Sequence, residues 1–184
     1  MSRRIQILDT AAALFAERGF HGVSVHDIGA ACGISGPAIY KHFAGKDAIL
    51  TESLTSISER HVAEASERRS AHLDPGAALD ALIAWHIDFA LEHPALIVIQ
   101  EREWTNLDPD GRDTVRRLQL VYIDIWVDVL RGLRDDLDAA QARAVVQATF
   151  GLLNSTPHSA RISPQAMRDL LGPMARSALL SPAG

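Results

Sequence analysis

Residues 24–43 read SVHDIGAACGISGPAIYKHF and contain two short helical segments joined by a glycine-containing turn. Ser24 is a good N-cap for the first segment, with Asp27 three residues later. Ser35 is a second N-cap, and Pro37 is tolerated in the first turn of the helix that follows. This spacing predicts a helix-turn-helix, whose second helix enters the major groove of DNA. On spacing alone, a plain corner between two helices explains the pattern equally well.

The rest of the chain is also predicted to be helical. Apolar residues recur with helical spacing, and Pro and Gly fall between the periodic stretches. Nine helices are predicted, at about 3–18, 24–32, 35–43, 46–69, 75–92, 95–104, 112–133, 138–156 and from 163 onward. The pattern leaves open whether the eighth helix bends or ends at Pro157.

Composition is that of an ordinary soluble globular protein, with 47% hydrophobic and 22% charged residues in 184. One cysteine cannot form an internal disulfide, and neither a signal peptide nor a bilayer-length apolar stretch is legible, so we expect a cytoplasmic protein. The net charge of the whole chain is −5. The first 50 residues have five basic and four acidic side chains, a net charge of +1, and the remaining 134 residues have a net charge of −6. Because charges are screened over roughly 8 Å, this asymmetry permits DNA binding without demonstrating it.

The N-terminal residues resemble the DNA-binding domain of the TetR family of bacterial one-component transcriptional regulators. The similarity spans about residues 5–50, and its most specific part is the motif Tyr40-x-His42-Phe43-x-x-Lys46. The sequence departs from the family at Gly29, where alanine is common, which predicts a slightly looser second helix. Beyond residue 50 the resemblance is one of architecture.

This resemblance implies an all-α, nine-helix architecture. Residues 1–46 would form a three-helix helix-turn-helix DNA-binding domain, and residues 47–184 a helical ligand-sensing and dimerisation domain. The implied function is that of a homodimeric repressor on a palindromic DNA operator, released by a small hydrophobic or amphipathic effector. The sequence does not give the effector, the operator or the target genes, and it does not separate repression from activation.

The resemblance also assigns DNA-binding roles. Tyr40 and His42 match positions that contact phosphates or support the recognition helix, and Lys46 matches a lysine that reaches the DNA backbone. Base reading falls to small residues and Lys41, so Lys41 on guanine is the expected direct reader, with DNA shape supplying further specificity. The predicted DNA-binding set is Ser24, Ser35, Gly36, Pro37, Ala38, Tyr40, Lys41, His42 and Lys46.

Aromatic and polar residues within apolar helices indicate an effector pocket in the second domain. Aromatic pairs recur at i,i+4, and each buried polar side chain needs a hydrogen-bond partner. The predicted lining is Trp85, His86, Phe89, Gln100, Trp104, Tyr122, Trp126, Asn154 and His158, although residues of these kinds more often belong to a core than to a ligand site. No cofactor and no metal are predicted, since the candidate ligands His86, His93, Glu101, Glu103 and His158 include no pair at the i,i+4 spacing of a helical zinc site.

The homodimer is expected to form through the eighth and ninth helices, about residues 138–180. The eighth is too apolar for a lone surface helix, with Val145, Val146, Thr149, Phe150, Leu152 and Leu153, and would form a four-helix interface with a second copy. The seventh helix, apolar nearly all round from Leu118 to Leu130, is predicted to be central and buried.

Packing of the small N-terminal domain is also predictable. Phe15, Phe20, Phe43 and Cys32 are expected in its core, and Ile28 and Ile39 should pack the two short helices together. Ala31 and Gly33 are expected where those helices cross closely.

Two functions from other classes are compatible with parts of the sequence. A helical enzyme could use the His86, Glu101 and Glu103 neighbourhood for acid–base catalysis, but it leaves the motif from Tyr40 to Lys46 unexplained. An interaction protein that no longer binds DNA is disfavoured by the intact Tyr40, Lys41, His42 and Lys46.

Overall fold

The computed structural model describes residues 2–181, and within that range it is all-helical, as predicted. The elements are α1 (Arg3–Arg18), α2 (Val25–Ala31), α3 (Gly36–Ile39), α4 (Lys46–Ala71), α5 (Pro75–Glu92), α6 (Pro94–Arg102), a 3₁₀ turn (Trp104–Asn106), α7 (Pro109–Arg131), α8 (Ala139–Leu153), α9 (Thr156–Ser159) and α10 (Pro164–Leu180). All nine predicted helices are present, and α9 and the 3₁₀ turn are additional single turns in the described part of the chain.

Helix ends follow local chemistry. The side chains of Ser24 and Asp138 each accept a hydrogen bond from the backbone N–H three residues on. The backbone N–H of each cap donates in return to the side chain of Asp27 or Gln141, which completes a capping box at α2 and at α8. Gly19, with φ of 75°, ends α1. The eighth predicted helix ends at Leu153 rather than bending, and Pro157 lies in the first turn of the separate α9.

The chain packs as two compact units, each with its own core. The first contains the chain up to Glu59 together with Ala95–Arg117, and the second contains Arg60–Pro94 and the chain from Leu118 onward. The first unit therefore includes α6 in addition to the helix-turn-helix. The functional boundary predicted at residue 46 stays a prediction.

The core of the first unit is formed mainly by α1 to α4. Phe15, Phe20, Phe43 and Cys32 are all buried in it, which confirms their predicted role as core residues. Further members are Ile7, Ala11, Val23, Ile28, Ile39, Ile49, Leu50, Leu54, Ile99, Leu107 and Val115.

Glycine allows α2 and α3 to approach each other closely. Ile28 and Ile39 are fully buried, as predicted. The expectation for Ala31 and Gly33 is wrong, because Ala31 is exposed and a Cβ on Gly33 would meet no atom within 4 Å. The close approach is instead at Gly29, where a Cβ would lie 3.0 Å from the backbone of the turn and of α3. Gly29 therefore permits the crossing instead of merely loosening α2.

Helices α5, α7, α8 and α10 supply most of the core of the second unit. Its α8 members Val146, Thr149 and Leu153 are buried within the subunit, so they are not available to the predicted dimer interface. The prediction that α7 is buried all round is wrong at Leu120 and Val121, which are 45% and 46% exposed. No single helix among residues 2–181 is long and apolar enough to cross a membrane, although α5 and α6 pass that test as a bent pair.

Candidate DNA interface and effector site

The recognition helix is short and presents few side chains. α3 covers only Gly36–Ile39, against the predicted 35–43, and a turn follows at Tyr40 and Lys41. Pro37, Lys41 and Tyr40 are exposed, Tyr40 by 59%. The face is therefore made by one helical turn and the turn after it.

The other predicted base-reading positions are less accessible. Ala38 is half-buried, and Gly36 is buried, with the Cα of His26 3.4 Å from where its Cβ would be. Ser35 occupies the N-cap position of α3, but its side chain makes no capping hydrogen bond. The exposed Ser35 hydroxyl can therefore bond to a phosphate oxygen.

Lys46, the first residue of α4, bonds to the protein's own backbone. Its Nζ donates to the carbonyl oxygens of Phe20 at 2.9 Å and Val23 at 3.0 Å, and it lies 4.3 Å from the centre of the Phe20 ring. These contacts fix the loop between α1 and α2 to the start of α4. An ammonium has three donors, so one stays available after the two carbonyl bonds.

Three predicted phosphate-contacting residues line one open groove of about 630 Å³. Ser24, Tyr40 and Lys46 lie along it, together with His21 and His26. The Ser24 hydroxyl is also the N-cap of α2, accepting from the N–H of Asp27 at 3.1 Å. The groove brings a helix N-terminus, a phenol and an ammonium to one surface, and these groups favour a phosphate. The carboxylates of Asp27 and Asp47 also line it and oppose an anion, and the Ser24 hydroxyl donates to Asp27.

The backbone of His42 is held by Arg4, a residue that lies outside the motif from Tyr40 to Lys46. The side chain of His42 is half-buried, and its carbonyl oxygen accepts a hydrogen bond from the guanidinium of Arg4. That guanidinium also pairs with Glu52 and lies 4.2 Å from the centre of the Phe43 ring. Arg4 thus ties α1 to the end of the recognition segment and to α4. The helical pattern of α1 gave no signal for this role.

Glu103, considered in the enzyme alternative, has a structural role in the first unit. It is only 5% exposed, and its carboxylate accepts from the backbone N–H of Phe20 at 3.3 Å and from Nδ2 of Asn106 at 2.7 Å. Both carboxylate oxygens are therefore occupied by structural hydrogen bonds. Glu101 is exposed.

Three polar residues predicted from the second domain bond to one another. The hydroxyl of Tyr122 lies 2.9 Å from Nδ1 of His86, and Nε2 of His86 lies 2.9 Å from Oδ1 of Asn154. Since an amide oxygen can only accept, Nε2 carries the proton and Nδ1 accepts from the tyrosine. The chain joins α5, α7 and α8 inside the second unit.

An aromatic cluster surrounds this chain, and two of its members were missed. The centre of the His61 ring lies 4.3 Å from the centre of the Phe89 ring and 4.9 Å from that of the Tyr122 ring. The ring of Phe150 stacks on those of His86, at 4.9 Å, and Tyr122, at 5.4 Å. Phe150 is only half-buried, and its place in the dimer interface stays a prediction. Trp85 and Trp126 complete what we call the aromatic cluster, namely His61, Trp85, His86, Phe89, Tyr122, Trp126 and Phe150.

Burial keeps the ionisable groups of the cluster neutral. It lowers the pKa of His86 to about 4, an effect that the hydrogen bond with Asn154 opposes, and lowers the pKa of His61 to about 3. It also raises the pKa of Tyr122. Nε1 of Trp85 and of Trp126 is buried and has no hydrogen-bond partner. The cluster is thus uncharged and holds two unsatisfied donors.

Six of the nine predicted effector-site residues come together in or beside this cluster: Trp85, His86, Phe89, Tyr122, Trp126 and Asn154. The other three lie elsewhere. Gln100 and Trp104 belong to the first unit, where Trp104 packs against the core, and His158 is exposed on α9. Within residues 2–181 no three His, Cys, Asp or Glu side chains are grouped as metal ligands would be.

Comparison with known proteins agrees with this architecture. A family model described as bacterial regulatory proteins, tetR family, matches residues 7–52, and one described as a tetracyclin repressor-like C-terminal domain matches residues 72–158. The transcriptional repressor KstR2 of Rhodococcus jostii is 31% identical over 135 residues, which cover 72% of this chain and 66% of that protein. KstR2 of Mycobacterium tuberculosis is 31% identical over 144 residues, covering 74% and 72%. The chain belongs to the TetR family.

Solved structures of TetR-family proteins have the same fold. The structure of M. tuberculosis KstR2, described as a ketosteroid transcriptional regulator, matches with a TM-score of 0.78 at 26% identity, covering 96% of this chain and 94% of that one. Bacillus subtilis FadR, solved with stearoyl-CoA, matches with a TM-score of 0.76 at 19% identity, covering 98% and 99%, and shares the fold alone. This TetR-family chain is a DNA-binding transcriptional regulator and not an enzyme.

Proposed function

We propose that this TetR-family protein is a cytoplasmic homodimeric repressor that binds a palindromic operator and releases it when an effector binds at the aromatic cluster. The observation that carries the proposal is the exposed surface of Ser35, Pro37, Tyr40 and Lys41 on a helix-turn-helix. Repressors that are 31% identical, the KstR2 proteins, support the same direction of regulation.

The proposed contacts with DNA divide into two kinds. Ser24, Ser35, Tyr40, His42 and Lys46 face or support phosphates, which fixes the register of the protein without reading sequence.

Pro37 and Ala38 contact thymine methyl groups, while Lys41 donates to guanine and is the main base reader. Gly36 is buried against His26 of α2 and therefore supports the position of α3 without reading bases itself.

Exposed residues of α8 and α10 support the proposed dimer. These helices pack on each other, and the outer face of α8 carries the small residues Ala144, Ala148 and Gly151. On α10, Leu170 and Met174 are 50% and 44% exposed and are one helical turn apart. Small and apolar outer positions suit close packing with the same two helices of a second copy.

Repression would end through a shift between two conformations of the protein. An effector releases DNA if it binds more tightly to the conformation that fits the operator poorly. The aromatic, uncharged cluster favours an effector with a large apolar part, and its unsatisfied indole donors favour one that carries hydrogen-bond acceptors. The ketosteroid and stearoyl-CoA in the descriptions of two related structures are molecules of that general kind.

Fluorescence anisotropy of labelled DNA from upstream of the protein's own gene, over a salt series, tests the proposal. We expect tight binding that requires the palindrome and weakens steeply with salt. A Lys41→Ala variant should lose affinity and sequence preference, while Arg161→Ala, which removes the same charge from an exposed residue between α9 and α10, should bind normally.

Unchanged sequence preference in Lys41→Ala would remove Lys41 as the reader. Failure to bind both this DNA and any sequence selected from a random pool would overturn the proposal as a whole. Analytical ultracentrifugation of Met174→Glu, with exposed Arg161→Ala as control, tests the dimer, and a dimer that persists in Met174→Glu would exclude this interface.

A further inference from the structure

Two arginines of α4 lie against one tryptophan of the aromatic cluster. The guanidinium carbon of Arg60 is 5.0 Å from the centre of the Trp85 ring, and that of Arg68 is 4.7 Å from it. The two residues are eight positions apart, so they project from the same side of the helix. Since Trp85 is only 9% exposed, its ring forms the boundary between the buried cluster and these two cations.

The charge at this boundary is not balanced. Arg68 forms an ion pair with Glu64, one turn earlier on α4. Arg60 is exposed and forms no ion pair within residues 2–181. By contrast, the neighbouring Arg69 pairs with Asp128 at 3.2 Å. Since the cluster itself is neutral, Arg60 leaves a positive charge beside it.

The buried side of the same tryptophan lacks a hydrogen-bond acceptor. Nε1 of Trp85 is inaccessible to solvent and has no partner, and Nε1 of Trp126, deeper in the cluster, has none either. An unsatisfied buried donor is unfavourable, and an oxygen atom of a bound molecule would relieve that cost. The Trp85 ring thus has two guanidinium groups on its solvent side and unsatisfied indole N–H donors on its buried side.

We infer that the effector is an amphipathic anion. Its carboxylate or phosphate oxygens accept hydrogen bonds from the guanidinium groups of Arg60 and Arg68, whose planar donors fit such oxygens, and its apolar part lies among Phe89, Tyr122 and the other rings of the cluster. The inference rests on the proposed function in taking the cluster as the effector site. A free carboxylic acid and a coenzyme A thioester carry the same recognisable feature, an anion joined to an apolar chain.

Ligand binding to the full-length protein without DNA tests the inference. The probes are laurate, lauroyl-CoA, coenzyme A alone and 1-dodecanol, which has the same chain as laurate without its charge; 1-pyrenebutyrate and 1-pyrenebutanol form a second pair with a ring body. Tryptophan fluorescence and isothermal titration calorimetry give the affinities. We expect at least one acyl or ring anion to bind ten times more tightly than its alcohol, and coenzyme A alone to bind weakly.

Variants of α4 locate the anion. Arg60→Gln together with Arg68→Gln should reduce the preference for the anion to less than threefold, and Arg69→Gln, the matched control on the same helix, should retain it. Thermal unfolding shows whether the double variant folds, and the single change at exposed Arg60 replaces it if it does not. Stronger binding of laurate assigns the carboxylate, and stronger binding of lauroyl-CoA assigns the phosphates.

Three results would overturn the inference: equal affinity for anion and alcohol, a preference that survives in the arginine variants, or no binding by any anion. Operator binding is measured separately, in the absence of probe. Absence of operator binding refutes the proposed repressor and leaves the anion site intact, whereas normal operator binding with no anion preference refutes the anion site alone. Operator binding that an anion bound at Arg60 does not weaken refutes its role as effector.

Discussion

The hydroxyl of Tyr122 donates a hydrogen bond to Nδ1 of His86 over 2.9 Å, inside the core of the second unit. This bond fixes the proton of His86 on Nε2, which donates to Asn154. Three helices are thereby joined by neutral polar groups that satisfy one another. The polar residues that the sequence marked as candidate ligand contacts are thus first of all each other's partners.

Removing the Tyr122 hydroxyl should destabilise the protein. Tyr122→Phe keeps the ring packing but leaves Nδ1 of His86 buried without a donor, and we expect the free energy of unfolding to fall by about 1–3 kcal/mol. Urea unfolding followed by circular dichroism measures it. The control is Tyr40→Phe, which removes the same hydroxyl from a residue that is 59% exposed. Equal stability of the two variants would contradict the structural role of the bond.

Acid should destabilise the second unit through its histidines. The native pKa values of about 4 for His86 and about 3 for His61 lie below the usual 6.5, so the unfolded chain binds protons that the native rings do not. The contribution of each neutral histidine to the free energy of unfolding is therefore fully present above pH 6.5. It decreases as pH falls toward 4, by up to about 1.4 kcal/mol per pH unit for each histidine. Urea unfolding between pH 7.5 and 4.5 checks the slope.

The pH slope can be assigned with variants. His86→Gln should be less stable at neutral pH and show a shallower dependence, while His26→Gln, at an exposed position, should retain the wild-type slope. A slope unaffected by His86→Gln would assign the acid sensitivity to other groups.

Gly29→Ala should weaken the helix-turn-helix although alanine is the better helix former. The new Cβ would lie 3.0 Å from the carbonyl oxygen of Ile34 and from the backbone nitrogen of Gly36, and backbone atoms cannot move away as a flexible side chain would. We expect a loss of about 1–3 kcal/mol in the stability of the first unit and weaker DNA binding. Gly45→Ala is the control, because its Cβ would meet no atom within 4 Å. Hydrogen exchange at the α2 amides checks this, and unchanged protection in Gly29→Ala would show that the crossing can relax.

Variants of Lys46 and Lys41 should distinguish a lysine that stabilises the domain from one that only contacts DNA. Lys46→Met removes the donors to the carbonyls of Phe20 and Val23, so both the melting temperature and DNA affinity should fall. Lys41→Met, at an exposed side chain, should lower DNA affinity alone. Differential scanning calorimetry measures the melting temperature, and fluorescence anisotropy measures DNA affinity. An unchanged melting temperature in Lys46→Met would show that the hydrogen bonds of Lys46 to Phe20 and Val23 do not stabilise the free protein.

The local features of the fold follow from short stretches of sequence. Capping residues such as Ser24 and Asp138, and Gly19 after α1, set helix ends within a few residues, because these are effects of neighbouring backbone groups. The motif from Tyr40 to Lys46 indicated the family and the DNA-binding face. The sequence also identified core residues such as Phe15, Ile28 and Ile39, since helical spacing shows which side of a helix is apolar.

The pairing of one apolar helix face with another depends on the folded chain as a whole. Periodicity carries no information on the partner of a face, so His61 on α4 and Phe150 on α8 could not be joined to His86 from spacing. Gly29 was predicted to loosen α2 for the same reason. The low helix propensity of glycine is a local effect, whereas its role in the crossing depends on a second backbone, which would lie 3.0 Å from a Cβ at this position.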